Sequence, residues 1–109
     1  MYFDYLAERR PECQTLETEK GFAIYSYTEH AVYIEEIYVR PDFRNSSVAS
    51  DFSNAIQAEA FKKGVTILLG SVSPSAVGAT ASIRVLLAHG MSVLSSQDDL
   101  VWFTKEIKG

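Results

Sequence analysis

A chain of 109 residues has room for one hydrophobic core, since domains usually run to about 100–150 residues, so 1–109 is expected to form a single domain. With 47% hydrophobic and 22% charged residues, the composition is that of a globule and excludes a disordered chain. The net charge of −4 and the scatter of the ten basic residues leave no phosphate-neutralising face, so no nucleic-acid partner is expected.

A mildly acidic surface instead tolerates cationic partners such as amines. The one cysteine, Cys13, has no internal disulfide partner, and with two histidines it makes no metal-ligand set at a recognised spacing, so no metal is expected. The N-terminal residues lack a basic stretch followed by an apolar one, and no run approaches the roughly 20 apolar residues of a membrane helix. The expectation is a cytoplasmic protein with no membrane partner.

Residues 1–9 carry Phe3, Leu6 and Ala7 at helical spacing and are read as a short amphipathic helix limited by Pro11. From Glu12 to Val39 the period changes to two, in three runs: CQTLET, GFAIYSYT and AVYIEEIYV. The breaks between them, Glu19-Lys20-Gly21 and Glu29-His30, are too short for a parallel return, so the three strands form an antiparallel meander. Pro41 ends the third strand.

A helix follows from Val48 to Lys63, with Val48, Phe52, Ala55, Ile56 and Ala60 at helical spacing. Ser46, Ser47 and Ser50 are candidate caps, and Gly64 is the stop. VTILLGSV is a continuous apolar run, expected as a strand covered on both faces, and its position after the helix implies a right-handed crossover to a parallel pairing. Residues 73–78 read as a loop, and Ala81 to His89 as a second helix with Ile83, Leu86 and Leu87 inward. MSVLS and DLVWFTKEI are closing strands. The order is β-β-β-α-β-α-β-β, an α/β (α+β) arrangement with a mixed, mainly antiparallel sheet and no internal repeat.

The segment with most chemical content is IEEIYVRPDFRNSSVASDFSNAI, residues 34–56. It places a polar Asn/Ser cluster at the start of a helix, where unpaired N–H groups and the positive dipole end suit a phosphate; a plain helix cap is the alternative. The segment resembles the acyl-CoA-binding motif of the GNAT superfamily of N-acetyltransferases, in which a strand of the type LEDLYV precedes RPEYRGKGIG and a helix. Ile34 to Arg44 follow that pattern position by position, and ASIRVLLAHGM is similar to the family's later helix, ASIRFYEKLGF. IEEIYV and SSQDDLVWF are most similar to spermidine/spermine acetyltransferases.

The resemblance covers roughly residues 13–107 and implies a GNAT-like sheet, acetyl-CoA as cosubstrate and a primary amine, small or on a protein, as acceptor. It implies that Arg44, Asn45, Ser46, Ser47, Val48 and Ala49 cradle the CoA pyrophosphate and that Ile37, Tyr38 and Val39 line the thioester. It also implies that Glu35 is the base, or the residue that relays through water, which takes the proton of an amine otherwise almost wholly protonated at pH 7. Glu35 and Glu36 are neighbours on a strand, so strict alternation sends one to each face.

Several positions depart from the pattern. Asn45, Ser47 and Ala49 replace loop glycines, each adding a Cβ where a ligand approaches backbone closely. Leu86 stands where many members carry the Tyr that protonates the departing thiolate, and Ala79 where an Asn contacts the cofactor arm; Ser82 and Ser71 are substitutes for the latter. The family's usual N-terminal β-α-α segment is mostly missing from these residues, so the acceptor pocket is open, absent or completed by a second subunit of a homodimer. Trp102 and Phe103 read as core and edge packing of the last strand, with a dimer face as the alternative. The alternative reading is a catalytically inactive GNAT-like module, of a kind also found in phage-encoded proteins, acting through protein contacts. His30 and His89 read as surface residues and Cys13 as a half-buried strand residue.

Overall fold

The structure, a computed structural model, describes residues 1–44, 46–75, 79–88 and 90–108. Helix α1 (Tyr2–Arg9) leads into three strands, β1 (Cys13–Thr18), β2 (Gly21–Tyr27) and β3 (Ala31–Val39). A 3₁₀ turn over Pro41–Phe43 is followed by α2 (Val48–Lys62), β4 (Ile67–Val72), α3 (Ala79–Ala88), β5 (Ser92–Gln97) and β6 (Leu100–Glu106). The six strands form one sheet in the order β1-β2-β3-β4-β6-β5, with β3 and β4 parallel and every other pair antiparallel. The expected mixed, mainly antiparallel sheet and the expected order of strands and helices are both present.

The two helices that pack on the sheet follow from apolar spacing and from their stops. In α2 the buried residues are Val48, Phe52, Ile56 and Ala60, one every four positions, a single stripe facing the sheet. The stripe packs with Ala23, Tyr25, Val32, Leu68 and Phe103, and Ile83 and Leu86 of α3 close on the same cluster. Gly64, in the left-handed region, ends α2: its N–H donates to the Phe61 carbonyl, and Val65 N–H donates to that of Ala60. This is the Schellman arrangement, and α3 ends the same way at Gly90 and Met91.

The expectation that β4 is covered on both faces is not met. Leu68 is 2% exposed but its neighbour Ile67 is 38% exposed, because α2 and α3 lie over one face only. The apolar run that suggested double cover reflects lateral burial between β3 and β6 as much as cover from above. Predicted contacts of Phe3, Leu6, Ala7, Ala79 and Ser82, and the features assigned to Asn45, Gly78 and His89, fall outside the described side chains or residues.

Candidate active site

β3 and β4 pair over only four positions each, from Ala31 opposite Ile67 to Ile34 opposite Gly70. Beyond that rung β3 continues to Val39 along β2, and β4 to Val72 along β6, so the two strands diverge while each stays paired on its outer side. The inner edges therefore present backbone N–H and C=O groups to a gap, and such groups need partners. The gap opens into a cleft of about 570 Å³ beneath α2 and α3.

The divergence coincides with a β-bulge. Ile24 lies opposite Glu36 while the next residue, Tyr25, lies opposite Ile34, so Glu35 is the extra residue on β3. Ile34 and Ile37 consequently both pack on the core beneath α2. The alternation expected for the two glutamates is overturned: Glu36 shares the far face with its partner Ile24, and Glu35 also reaches that face, where it meets Cys13.

The Glu35 carboxylate is held on the β1 side of its own strand. One oxygen accepts from Arg10 Nη2 at 2.9 Å and the other from the Cys13 thiol at 3.0 Å. Burial, reinforced by the Glu35 carboxylate, pushes the Cys13 thiol up to about 11, and the contact with Glu35 raises the Arg10 guanidinium further above its ordinary range. Cys13 is buried rather than half-buried.

Ile37, Tyr38, Val39, Arg44 and Ala49 all line the cleft, together with Glu35 and Glu36. The Tyr38 ring stacks on Phe22 at 5.4 Å, and the Arg44 guanidinium lies 5.8 Å from the Tyr38 ring while its Nε donates to the Val39 carbonyl at 3.0 Å. Arg44 is thereby fixed where the open end of the gap meets the start of α2.

Of the other described loop residues, Ser46, Ser47 and Val48 are not among those lining the cleft. Val48 is 8% exposed and packs inward with Phe52, while Ser46 and Ser47 are exposed. Neither serine caps α2 with its side chain as expected: the Ser46 hydroxyl donates to the Phe43 carbonyl, and the Ser47 hydroxyl to the Asp51 carboxylate at 3.2 Å. Ser47, Val48 and Ala49 form the start of α2, where N–H groups lack an i−4 carbonyl within the helix. These N–H groups form the positive end of the helix, with Asp51 as the acidic residue of the first turn.

Leu86 lines the same cleft and offers no proton. Ser71, opposite Trp102 on β6, also lines it, and its hydroxyl is 2.7 Å from the Tyr33 phenol oxygen. The sequence reading missed Ser50, Ser53, Asn54 and Gln57 of α2, as well as Met91 and Lys105. The four on α2 recur at i, i+3, i+4 and i+7, a polar stripe beside the apolar one, and that spacing was the available signal. His30 is exposed beside Glu29, as expected of a turn residue. No group of metal-ligating side chains occurs among the described residues.

No family model matches the sequence, and no curated protein matches it. Solved structures do match. A protein assigned to the GNAT acetyltransferases from Desulfovibrio desulfuricans superimposes with a TM-score of 0.82 at 16% identity, over 98% of this chain and 77% of that one. The PaiA N-acetyltransferase of Thermoplasma acidophilum, solved with coenzyme A, gives 0.77 at 11% identity over 94% of this chain and 65% of its own. The ribosomal-protein-S18-alanine N-acetyltransferase of Escherichia coli gives 0.74 at 15% identity, over the whole of this chain and 78% of that one. In its strand order, its parallel β3–β4 pair and its helices, this chain has the fold of the GNAT acetyltransferases.

Proposed function

We propose that the chain is an acyl-CoA-dependent N-acetyltransferase that moves the acetyl group of acetyl-CoA to a primary amine. The observation that carries this reading is the divergence of β3 and β4 after Ile34 and Gly70, which leaves two unpaired strand edges over an apolar cleft. An extended pantetheine arm carries amide groups at a spacing that can pair with such edges, and its diphosphate would lie toward Arg44 and the N-terminal end of α2. The residues present fit the group: Arg44 lines the cleft, and the Ser46 and Ser47 hydroxyls turn to protein acceptors and do not cap the start of α2.

In this reading Glu35 receives the amine proton through a water, since its carboxylate is anchored by Arg10 and Cys13 to one side of the gap. A backbone N–H near Tyr38 or Val39 stabilises the oxyanion of the attacked thioester. The resemblance of IEEIYV and SSQDDLVWF to spermidine/spermine acetyltransferases makes a polyamine the first acceptor to test. The reading extends to a single domain over 1–109 and to a cytoplasmic location, supported by the free thiol of Cys13. It also extends to a homodimer, for which exposed Val93, Leu94 and Leu100 offer apolar surface.

Calorimetric titration with acetyl-CoA tests the core of this: binding is expected, and no heat at millimolar ligand would remove the enzyme reading. Given binding, thiol release over a panel of amines in wild type and Glu35→Gln tests the base, and unchanged turnover in the variant refutes that assignment. The second reading, an inactive module working through protein contacts, is favoured by Leu86 in the cleft and by the engagement of Glu35 with Arg10 and Cys13. It predicts binding partners and no thiol release with any amine.

A further inference from the structure

A departing CoA thiolate gains from a proton donor at the point where the carbon–sulfur bond breaks. Leu86 lines the cleft without one, so the chemistry described above lacks a named acid. The side chains at the mouth of the gap narrow the search. Gly70 is the last residue of β4 matched to β3, and Ser71 is the next; continuing the register sets Ser71 level with Glu35, the bulge residue. Ser71 therefore stands on the first step past the divergence, on the wall opposite the strand that carries the base.

Its hydroxyl does not stand alone. The Tyr33 phenol oxygen lies 2.7 Å away, one residue before the last rung on β3, so the pair bridges the two strands just where their backbones part. Tyr33 in turn packs against the Trp102 ring at 5.3 Å, and Trp102 is the partner of Ser71 on β6. Both hydroxyl-bearing residues are half-buried. Strand alternation puts Ser71, Tyr33 and Trp102 on the sheet face away from α2, and two rigid strands and an aromatic contact fix this two-hydroxyl chain at Ser71, a residue that lines the cleft.

We propose that Ser71, backed by Tyr33, is the general acid of the acetyl transfer, taking the part that Leu86 cannot. This rests on the acetyltransferase reading. As the amine nitrogen bonds to the acetyl carbon, the carbon–sulfur bond breaks with its electron pair passing to sulfur. The Ser71 O–H proton goes to sulfur, the Tyr33 O–H proton goes to Ser71, and the phenolate is reprotonated by solvent. The acceptor nitrogen loses two protons, one from the ammonium through the Glu35 side before attack and one from the amine N–H to solvent as the amide forms, while solvent returns one to Tyr33, so the sum is amide, free CoA thiol and one proton. The arrangement requires the Tyr33 phenol to donate to Ser71, which frees the serine proton to point into the cleft.

The test compares wild type with Ser71→Ala, Ser71→Thr and Tyr33→Phe, measuring thiol release from acetyl-CoA with n-butylamine, spermidine and a free N-terminal peptide, and CoA affinity by calorimetry. Ser71→Ala is expected to lower kcat by about 100-fold and Tyr33→Phe by about tenfold, with CoA affinity within about twofold of wild type. Ser71→Thr, which keeps the hydroxyl, is expected to recover kcat to within about threefold of wild type. Turnover by Ser71→Ala within about threefold of wild type overturns the proposal, as does Ser71→Thr as slow as the alanine variant, or a loss confined to affinity. Wild type that binds acetyl-CoA but turns over none of the three amines overturns it as well. Failure of wild type to bind acetyl-CoA is a different result, which brings down the acetyltransferase reading itself.

Discussion

Gly21 opens β2 at the place where β2 passes the end of β3. A Cβ built there would sit 2.0 Å from the Tyr38 carbonyl oxygen, a backbone atom that cannot swing aside. Gly21→Ala therefore has to push β3 away just where it borders the cleft. The expected cost is about 2 kcal/mol or more, read as a lower urea midpoint, and an unchanged midpoint would show that this contact yields freely. Cys13 gives a second check at this scale. With its thiol pushed up from 9.0 to about 11, the thiolate fraction at pH 8 falls roughly 100-fold, so alkylation by iodoacetamide should be slower than for an unfolded control by at least that factor. Labelling at the control rate would contradict the Cys13–Glu35 contact. Some residue-scale features were legible in the sequence and others were not. Arg44 was readable beside the strand end, because Pro41 fixes the turn that brings it back. The orientation of Glu35 was not, because one extra residue on β3 shifts the alternation and nothing in EE marks a bulge.

Helix α2 is tied to the sheet by more than its apolar stripe. The Glu59 carboxylate accepts from the Tyr25 phenol at 2.9 Å and the Tyr27 phenol at 2.8 Å, with Lys63 Nζ at 3.5 Å. Partial burial works to raise the Glu59 carboxyl, but the two phenol donors and Lys63 outweigh it and hold its pKa below the ordinary value. A depressed folded-state pKa contributes stability above the unfolded value of 4.5, and that contribution is lost as pH falls through the folded value. The reverse holds for Tyr25, pushed up to about 12 by burial and then by Glu59: its contribution is intact below 10 and lost toward 12. Because Glu59 is part-exposed, Glu59→Gln is expected to cost about 1 kcal/mol at pH 7 and to flatten the acid limb of stability against pH. An acid limb identical to that of wild type would show that another carboxylate sets it. Strand and helix limits were mostly legible here. The short breaks forced the meander, and Gly64 marked the end of α2. The β5–β6 turn was read two residues early, because Ser95 to Gln97 are polar and exposed and give no period. Asp98 and Asp99, both at positive φ, make that turn without the glycine that usually announces it.

At the scale of the molecule, the crossover from β3 through α2 to β4 was foreseeable from strand, helix, strand in sequence, since such a return is almost always right-handed and parallel. The gap was not foreseeable from periodicity, because it depends on β3 and β4 keeping their outer partners while losing each other, a non-local fact. A ligand that occupies the gap binds the folded chain and not the unfolded one. At about 100 times its dissociation constant acetyl-CoA should stabilise by about 2.7 kcal/mol and raise Tm by about 10 °C. No shift at saturating ligand would contradict occupancy of this site.

The sheet is two triplets of strands, β1-β2-β3 and β4-β6-β5, stitched together by a four-residue seam. Each triplet has longer ladders of its own, bulges included, so the four-residue seam is the shortest pairing in the sheet, and amide exchange should unzip it before either triplet separates. A guest strand lying in the gap would lengthen that seam on both sides at once. Slower exchange would then reach β2 and β6, which the guest never touches.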